Sequence, residues 1–226
     1  MNLSKNDFNT VIQTVLTNVT RCYDVEQAAL VRLGNTAQTE GQIRAAAGEL
    51  VESILQNIFT SINSVIPQAG IVSKVGSTDY LSKEIEYREQ IFSFDTIQVD
   101  RHVWSHDRRI AFVENKTYLD SCYYDRALAD FRKIAQSLAQ HGTDPATVSY
   151  IVFAGQNAAD NHTLETYTAD FWNDTRHLTS ASGGLNPHTF FFLKGKRSPA
   201  RPLYKIKHEL DTNVIEQFVR LIISIL

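Results

Sequence analysis

The chain has 226 residues, 43% of them hydrophobic and 21% charged, which suits one packed core and excludes disordered, collagen-like and coiled-coil compositions. Its 22 Lys and Arg against 25 Asp and Glu leave a formal charge of −3, so a uniformly basic nucleic-acid coat is excluded while local patches stay open. Cys22 and Cys122 lie far apart with no CxxC spacing, the usage expected of reduced thiols in a cytoplasmic protein. The start, MNLSKNDFNT, has neither the basic nor the apolar region of a signal peptide. The longest apolar run, LIISIL, falls well short of the roughly 18 residues of a membrane span.

In chain order, Phe8, Val11, Ile12, Val15, Leu16 and Val19 recur at helical spacing, and Asp24 to Leu33 predicts a second helical segment stopped by Gly34. From Gln42 to about Asn63 the stripe Ile43, Ala47, Leu50, Val51, Ile54, Leu55, Ile58 and Ile62 predicts a longer helix. The Pro67 to Gly70 stretch stops it, and Ile71 to Val75 reads as a short strand. Between Ile91 and Tyr118 the period changes to two. Ile97, Val99 and Val103 precede a polar Ser105-His106-Asp107 turn and Ile110 to Val113 follow it, which predicts a β-hairpin.

The return strand is apolar on both faces over Ile110 to Val113, as in the centre of a sheet, and then presents Glu114, Asn115 and Lys116. Asp120 or Ser121 can cap an amphipathic helix reaching Gln140, and Val148 to Ala154 reads as a buried strand. These elements predict an α/β fold, a mixed central sheet flanked by helices, with its core over residues 42–156. Helices precede that core, and a C-terminal helix from Asp211-Thr212 to Leu226 follows it. Residues 157–210 carry a weaker pattern, and no linker or repeat divides residues 1–226 into two domains.

Glu114 and Lys116 stand two apart, so on a strand they share a face and can serve one reaction centre. A carboxylate there can bind Mg²⁺, and the lysine can position water or stabilise charge on a phosphate. The second acid has two candidates. A turn centred on Asp107 sets Asp100 opposite Glu114, whereas a shifted turn or a bulge moves the match and leaves Asp95 open. The helix over 42–63 offers a third acid. Gly48 there would allow close helix–sheet approach, Glu52 borders the apolar stripe, and Glu49 lies nearly opposite it. An acid two residues before a lysine arises by chance in such a chain, and the plain alternative is a solvated strand end whose Glu114 and Lys116 merely pair. Position behind a hairpin acid and ahead of an amphipathic helix is what gives the tripeptide weight.

This arrangement resembles the PD-(D/E)XK nuclease superfamily, and most closely its type II restriction endonucleases. The resemblance covers about half the chain. It comprises a helix with Gly48 and Glu52, Asp100 on the first hairpin strand, Glu114 and Lys116 on the second, the helix Ser121 to Gln140 and the strand Val148 to Ala154. Val99, rather than proline, precedes Asp100. The resemblance implies an αβββαβ restriction-endonuclease-like core in which Asp100 and Glu114 bind Mg²⁺, Lys116 assists the water nucleophile and Glu52 is an auxiliary acid. It further implies a homodimer cutting a short site in double-stranded DNA. A repair or junction-resolving nuclease, or a non-cleaving DNA-binding protein on the same fold, are the alternatives.

From Thr175 to His208 there are seven Lys or Arg and no Asp or Glu. Lys194, Lys196, Arg197, Arg201, Lys205 and Lys207 are therefore the candidate DNA-binding cations of the 157–210 region, and Arg197 and Arg201, with Asn186, His188 and Ser198 nearby, could also reach guanine or adenine edges. Gln156 and Asn157 are further base-reading candidates. The apolar C-terminal helix, Val214, Ile215, Phe218, Val219, Ile222 and Ile223, or the N-terminal helices, could supply a dimer surface. His102 and His106 read as surface residues rather than a zinc pair. Tyr123-Tyr124 and Phe190 to Phe192 read as core. Gly183-Gly184 lacks a following GK[ST], so no nucleotide cofactor is expected, and no GxSxG or HExxH occurs.

Overall fold

The computed structural model describes residues 4–36, 39–75, 99–180 and 183–226. Within them a five-stranded mixed sheet lies between two helical layers, which makes the chain an α/β protein. Helix α1 (Lys5–Thr36) runs unbroken through both segments expected before Gly34. Residues 20–23 hold no glycine or proline, and the buried set Val15, Val19, Tyr23, Gln27 and Leu30 carries the spacing across the join. Gly34 has another use: a Cβ there would collide with the backbone carbonyl of Tyr204.

Helix α2 (Glu40–Val65) begins with a capping box, in which the Thr39 hydroxyl accepts from the Gln42 N–H and the Gln42 side chain accepts from the Thr39 N–H. Strands β1 (Ile71–Val75), β2 (Arg101–Ser105) and β3 (Arg108–Leu119) pair antiparallel. Asp120 caps helix α3 (Ser121–Gln140) by accepting from the Tyr123 N–H. Strand β4 (Ser149–Asn157) then pairs parallel to β3 and ends three residues beyond its apolar run. Among the described residues the element order from α2 to β4 is thus helix, three strands, helix, strand.

Two elements fall where the sequence pattern is weak. Helix α4 (Asn161–Thr175) buries only Phe171 and Thr175, too few to print a periodicity, and β5 (His188–Phe191) pairs parallel to β4 at the sheet edge. Helix α5 (Thr212–Ile225) closes the fold, capped by Asp211.

Alternation along β3 and β4 divides the core. Ala111, Val113, Ile151 and Phe153 pack with α1, α2 and α5, while Phe112, Tyr150, Val152 and Ala154 pack with α3 and α4. Each large side chain so buried contributes about 1.5–3 kcal/mol. The expected dimer surface is used up here. Ile215, Phe218, Val219, Ile222 and Ile223 of α5, and the apolar face of α1, are inside this core rather than free for a second subunit. No described helix is long and apolar enough to cross a membrane.

The β2–β3 hairpin is irregular. Ser105 pairs with Arg108 and Trp104 with Arg109 around a tight His106–Asp107 turn, but Val103 pairs with Ala111, so Ile110 is an extra residue in β3. A tighter turn and a bulge each move the match by one, and together they cancel. Arg101 pairs with Val113, and the same register carried one step further sets Asp100 against Glu114.

His102, expected at the surface, is 1% exposed. Its ring meets Phe112 edge-on at 5.1 Å, and neither ring nitrogen finds a partner. Burial, reinforced by the Arg109 charge, pulls its pKa from 6.5 down to about 4. The unfolded chain therefore binds a proton that the folded chain refuses, so stability present above pH 6.5 is lost as pH falls through 4. Urea midpoints of the wild type and His102→Leu, compared between pH 7 and 4, should show roughly 3 kcal/mol less acid-side loss in the variant. Parallel slopes would refute this assignment.

Candidate active site

Past the end of β2, β3 continues as Glu114 to Leu119 with β4 on one side. Here a cleft of about 570 Å³ opens between α2 and α3, floored by Glu114 to Tyr118 and walled on a third side by Pro202 to Tyr204. Gly48 lines it. It does not serve the close helix–sheet approach its size suggested, because a Cβ there would meet nothing within 4 Å.

The three chemical groups meet on the cleft floor. Lys116 Nζ donates to Glu114 Oε2 at 2.6 Å and to Asp100 Oδ2 at 3.1 Å, and the backbone N–H of Asn115 donates to the same Asp100 oxygen at 2.7 Å. The Glu114 side chain is 5% exposed, so this is no solvated strand end. Withdrawal from water, followed by the neighbouring Asp100 carboxylate, pushes the Glu114 pKa up to about 8 against the opposing pull of Lys116. Burial pulls the Lys116 ammonium down, but the two carboxylates more than reverse it and hold its pKa above the ordinary lysine value. Lys116 is thus a proton-holding cation.

Whether these residues suit the Mg²⁺ that the resemblance implies can be judged from their spare valences. Glu114 Oε1 is buried with no hydrogen-bond partner, an orphaned hard oxygen beside a second carboxylate. Asn115, in the same lining, has both side-chain polar atoms buried and unpartnered. Each such group costs about 1–3 kcal/mol until something polar satisfies it. Among the described residues no three His, Cys, Asp or Glu cluster as a metal cage. Mg²⁺ does not require one, since it is typically held by one or two carboxylates plus water and substrate phosphate. The donor set fits.

The remaining candidates separate. Asp95 lies outside the described residues. Glu52 lines the cleft, but its carboxylate accepts from Arg101 at 2.5 Å and is half-exposed; Glu49 is exposed and not part of the lining. Of the six candidate DNA-binding cations, Arg197 lines the cleft. Lys194 pairs with Glu209 and Lys207 with Asp24, so acids from outside the 175–208 stretch neutralise part of it. Lys205 lies 5.8 Å from the Tyr204 ring, and Lys196 and Arg201 are exposed. Gln156 is buried and donates to His208 Nδ1, whose Nε2–H donates to the Arg201 carbonyl. Asn157 is spent on Ala159 and Asn161. Asn186 lines a separate groove beside α4, and burial lowers the pKa of His188.

Residues that sequence reasoning passed over also line the cleft. Tyr124 is core as expected, but Tyr123 is 39% exposed and reaches the cleft, as does Arg126 one turn later, a cation with no ion pair among the described residues. Their spacing of three, on the helix following Glu114 and Lys116, was the available signal. Gln27 and Tyr23 of α1 hold the third wall by donating to the carbonyls of Leu203 and His208 at 2.6 and 2.7 Å.

Because a proton and a cation compete for Glu114, Mg²⁺ binding should strengthen by up to about tenfold per pH unit below pH 8 and level off above it. Calorimetry in buffers of different ionisation enthalpy should show proton release, and Glu114→Gln should abolish both effects. Affinity independent of pH would exclude Glu114 as a ligand.

No protein-family model and no curated protein matches this sequence, which leaves the geometry and chemistry of the cleft to indicate its role.

Proposed function

We propose that the chain is a Mg²⁺-dependent endonuclease that hydrolyses phosphodiester bonds in double-stranded DNA, and specifically a type II restriction endonuclease cutting a short site. The observation that carries this reading is the meeting of Asp100, Glu114 and Lys116 on one hairpin, in a cleft that leaves a buried carboxylate oxygen unpaired.

Asp100 and Glu114 would hold the metal, which when bound supplies positive charge beside the phosphate and lowers the pKa of a coordinated water. Lys116, kept protonated by its two carboxylates, hydrogen-bonds and orients the attacking water and faces the negative charge that grows on the phosphate oxygens. Attack at phosphorus forms a P–O bond and breaks the bond to the 3′-oxygen, leaving 5′-phosphate and 3′-hydroxyl ends. Arg126 and Arg197, at the cleft, are suited to flanking phosphates. Arg101 holds Glu52 at the rim, so Glu52 acts as a positioning residue through Arg101, next to Asp100 in the chain. The homodimer that a symmetric target calls for would need a surface other than the apolar faces of α1 and α5.

Glu114→Ala and Lys116→Ala should retain DNA binding while losing at least about 100-fold in Mg²⁺-dependent cleavage of a mixed-sequence plasmid. Discrete fragments from the wild type identify a restriction enzyme, and structure-dependent nicks identify a repair or junction nuclease. Binding without any product, or full cleavage by either variant, would overturn the catalytic reading.

A further inference from the structure

Two strand positions beyond Lys116, on the same face of β3, lies Tyr118, about 7 Å further along at ~3.3 Å per residue. The Arg197 guanidinium sits 3.5 Å from the centre of its ring. The Arg197 N–H donates to the Asn157 carbonyl at 2.8 Å, which fastens that residue to the end of β4. Tyr123 joins the cluster edge-on, its ring 5.7 Å from that of Tyr118 at an interplanar angle of 66°. Only two other large hydrophobic side chains among the described residues, Val25 and Val72, are as exposed as Tyr123, and neither lines the cleft.

A flat cation backed by one aromatic ring, beside a second ring open to solvent, is a surface for another flat group. Bases inside a duplex have both faces covered by their neighbours and cannot use it, whereas an unpaired or extruded base can. Size points the same way. About 570 Å³ is the scale of a pocket for one small ligand, which matches a single base turned out of a duplex lying at the cleft mouth.

We propose that Tyr118, Tyr123 and Arg197 form a stacking shelf for one unpaired nucleobase adjoining the phosphate held at Lys116. A base beside the cut is then turned out of the stack when duplex DNA is bound, and DNA in which that base is already unpaired binds more tightly. This rests on the nuclease reading for its choice of ligand, but it concerns binding rather than cleavage.

The probe is a DNA hairpin carrying a single bulged 2-aminopurine, compared with the same hairpin with 2-aminopurine paired, both titrated in EDTA so that no cleavage intervenes. The wild type should bind the bulged hairpin about tenfold more tightly or better, with quenching of its fluorescence. Tyr123→Ala and Arg197→Lys should each remove about tenfold of that preference, the second while keeping its charge, and Tyr123→Trp should restore it. Equal binding of the two hairpins by the wild type, or an undiminished preference in both variants, overturns the shelf. The two readings fail separately. Bulge preference in a protein that cuts no DNA with Mg²⁺ keeps the shelf and ends the nuclease, whereas cleavage by a protein indifferent to the bulge does the reverse.

Discussion

Everything at the cleft depends on one extra residue. Without the bulge at Ile110, the register that leaves the His106–Asp107 turn would set Val99, not Asp100, against Glu114. An apolar side chain would then face the buried carboxylate, and Asp100 would be directed to the other face of the sheet, since a shift of one residue reverses every side chain on a strand. With the bulge, Asp100 accepts from both the Asn115 N–H and Lys116 Nζ. The same bulge lets Ile110 and Ala111, neighbours in sequence, both enter the core beneath α1, α2 and α5. Packing and site geometry are therefore one constraint, because the core that rewards the bulge also holds the acids in place.

That placement is energetically expensive. Two carboxylates and an ammonium share a strand end where Glu114 is nearly out of water, and the attraction of a buried ion pair offsets only part of the cost of desolvating it. An unpartnered Glu114 oxygen adds to the cost. A stability-driven fold would place a leucine there, as the four preceding residues of the strand suggest. The arrangement is accounted for when something polar and positively charged completes it, and the open lining at Gly48 leaves the room.

The cleft is a product of assembly, since no single segment contains it. α2 supplies one wall and α3 another. The third belongs to residues 202–204, where the Leu203 carbonyl, which carries no sequence signal, is held by Gln27, 176 positions away in the chain. The basic stretch illustrates the same limit. It has no acids of its own, yet Glu209 and Asp24 reach Lys194 and Lys207 in space, while Arg197 lies against the Tyr118 ring. Charge counted along the chain does not predict charge presented at a surface.

Local sequence was enough to specify the elements whose apolar spacing is strong and whose caps are close at hand: α2, β1, α3, β4 and α5, and the shared face of Glu114 and Lys116 on β3. Period and capping are properties of a few neighbouring residues, so they survive in one dimension. Which acid faces Glu114 stayed open, because a bulge is a compromise between a turn and a core built from helices far away in the chain. His102 and Tyr123 were expected on the wrong side of the surface, since burial is decided by what packs against a residue rather than by the residue. Helix α4, with two buried side chains, and the cleft's third wall, held by long-range hydrogen bonds, exist only once distant parts of the chain have met.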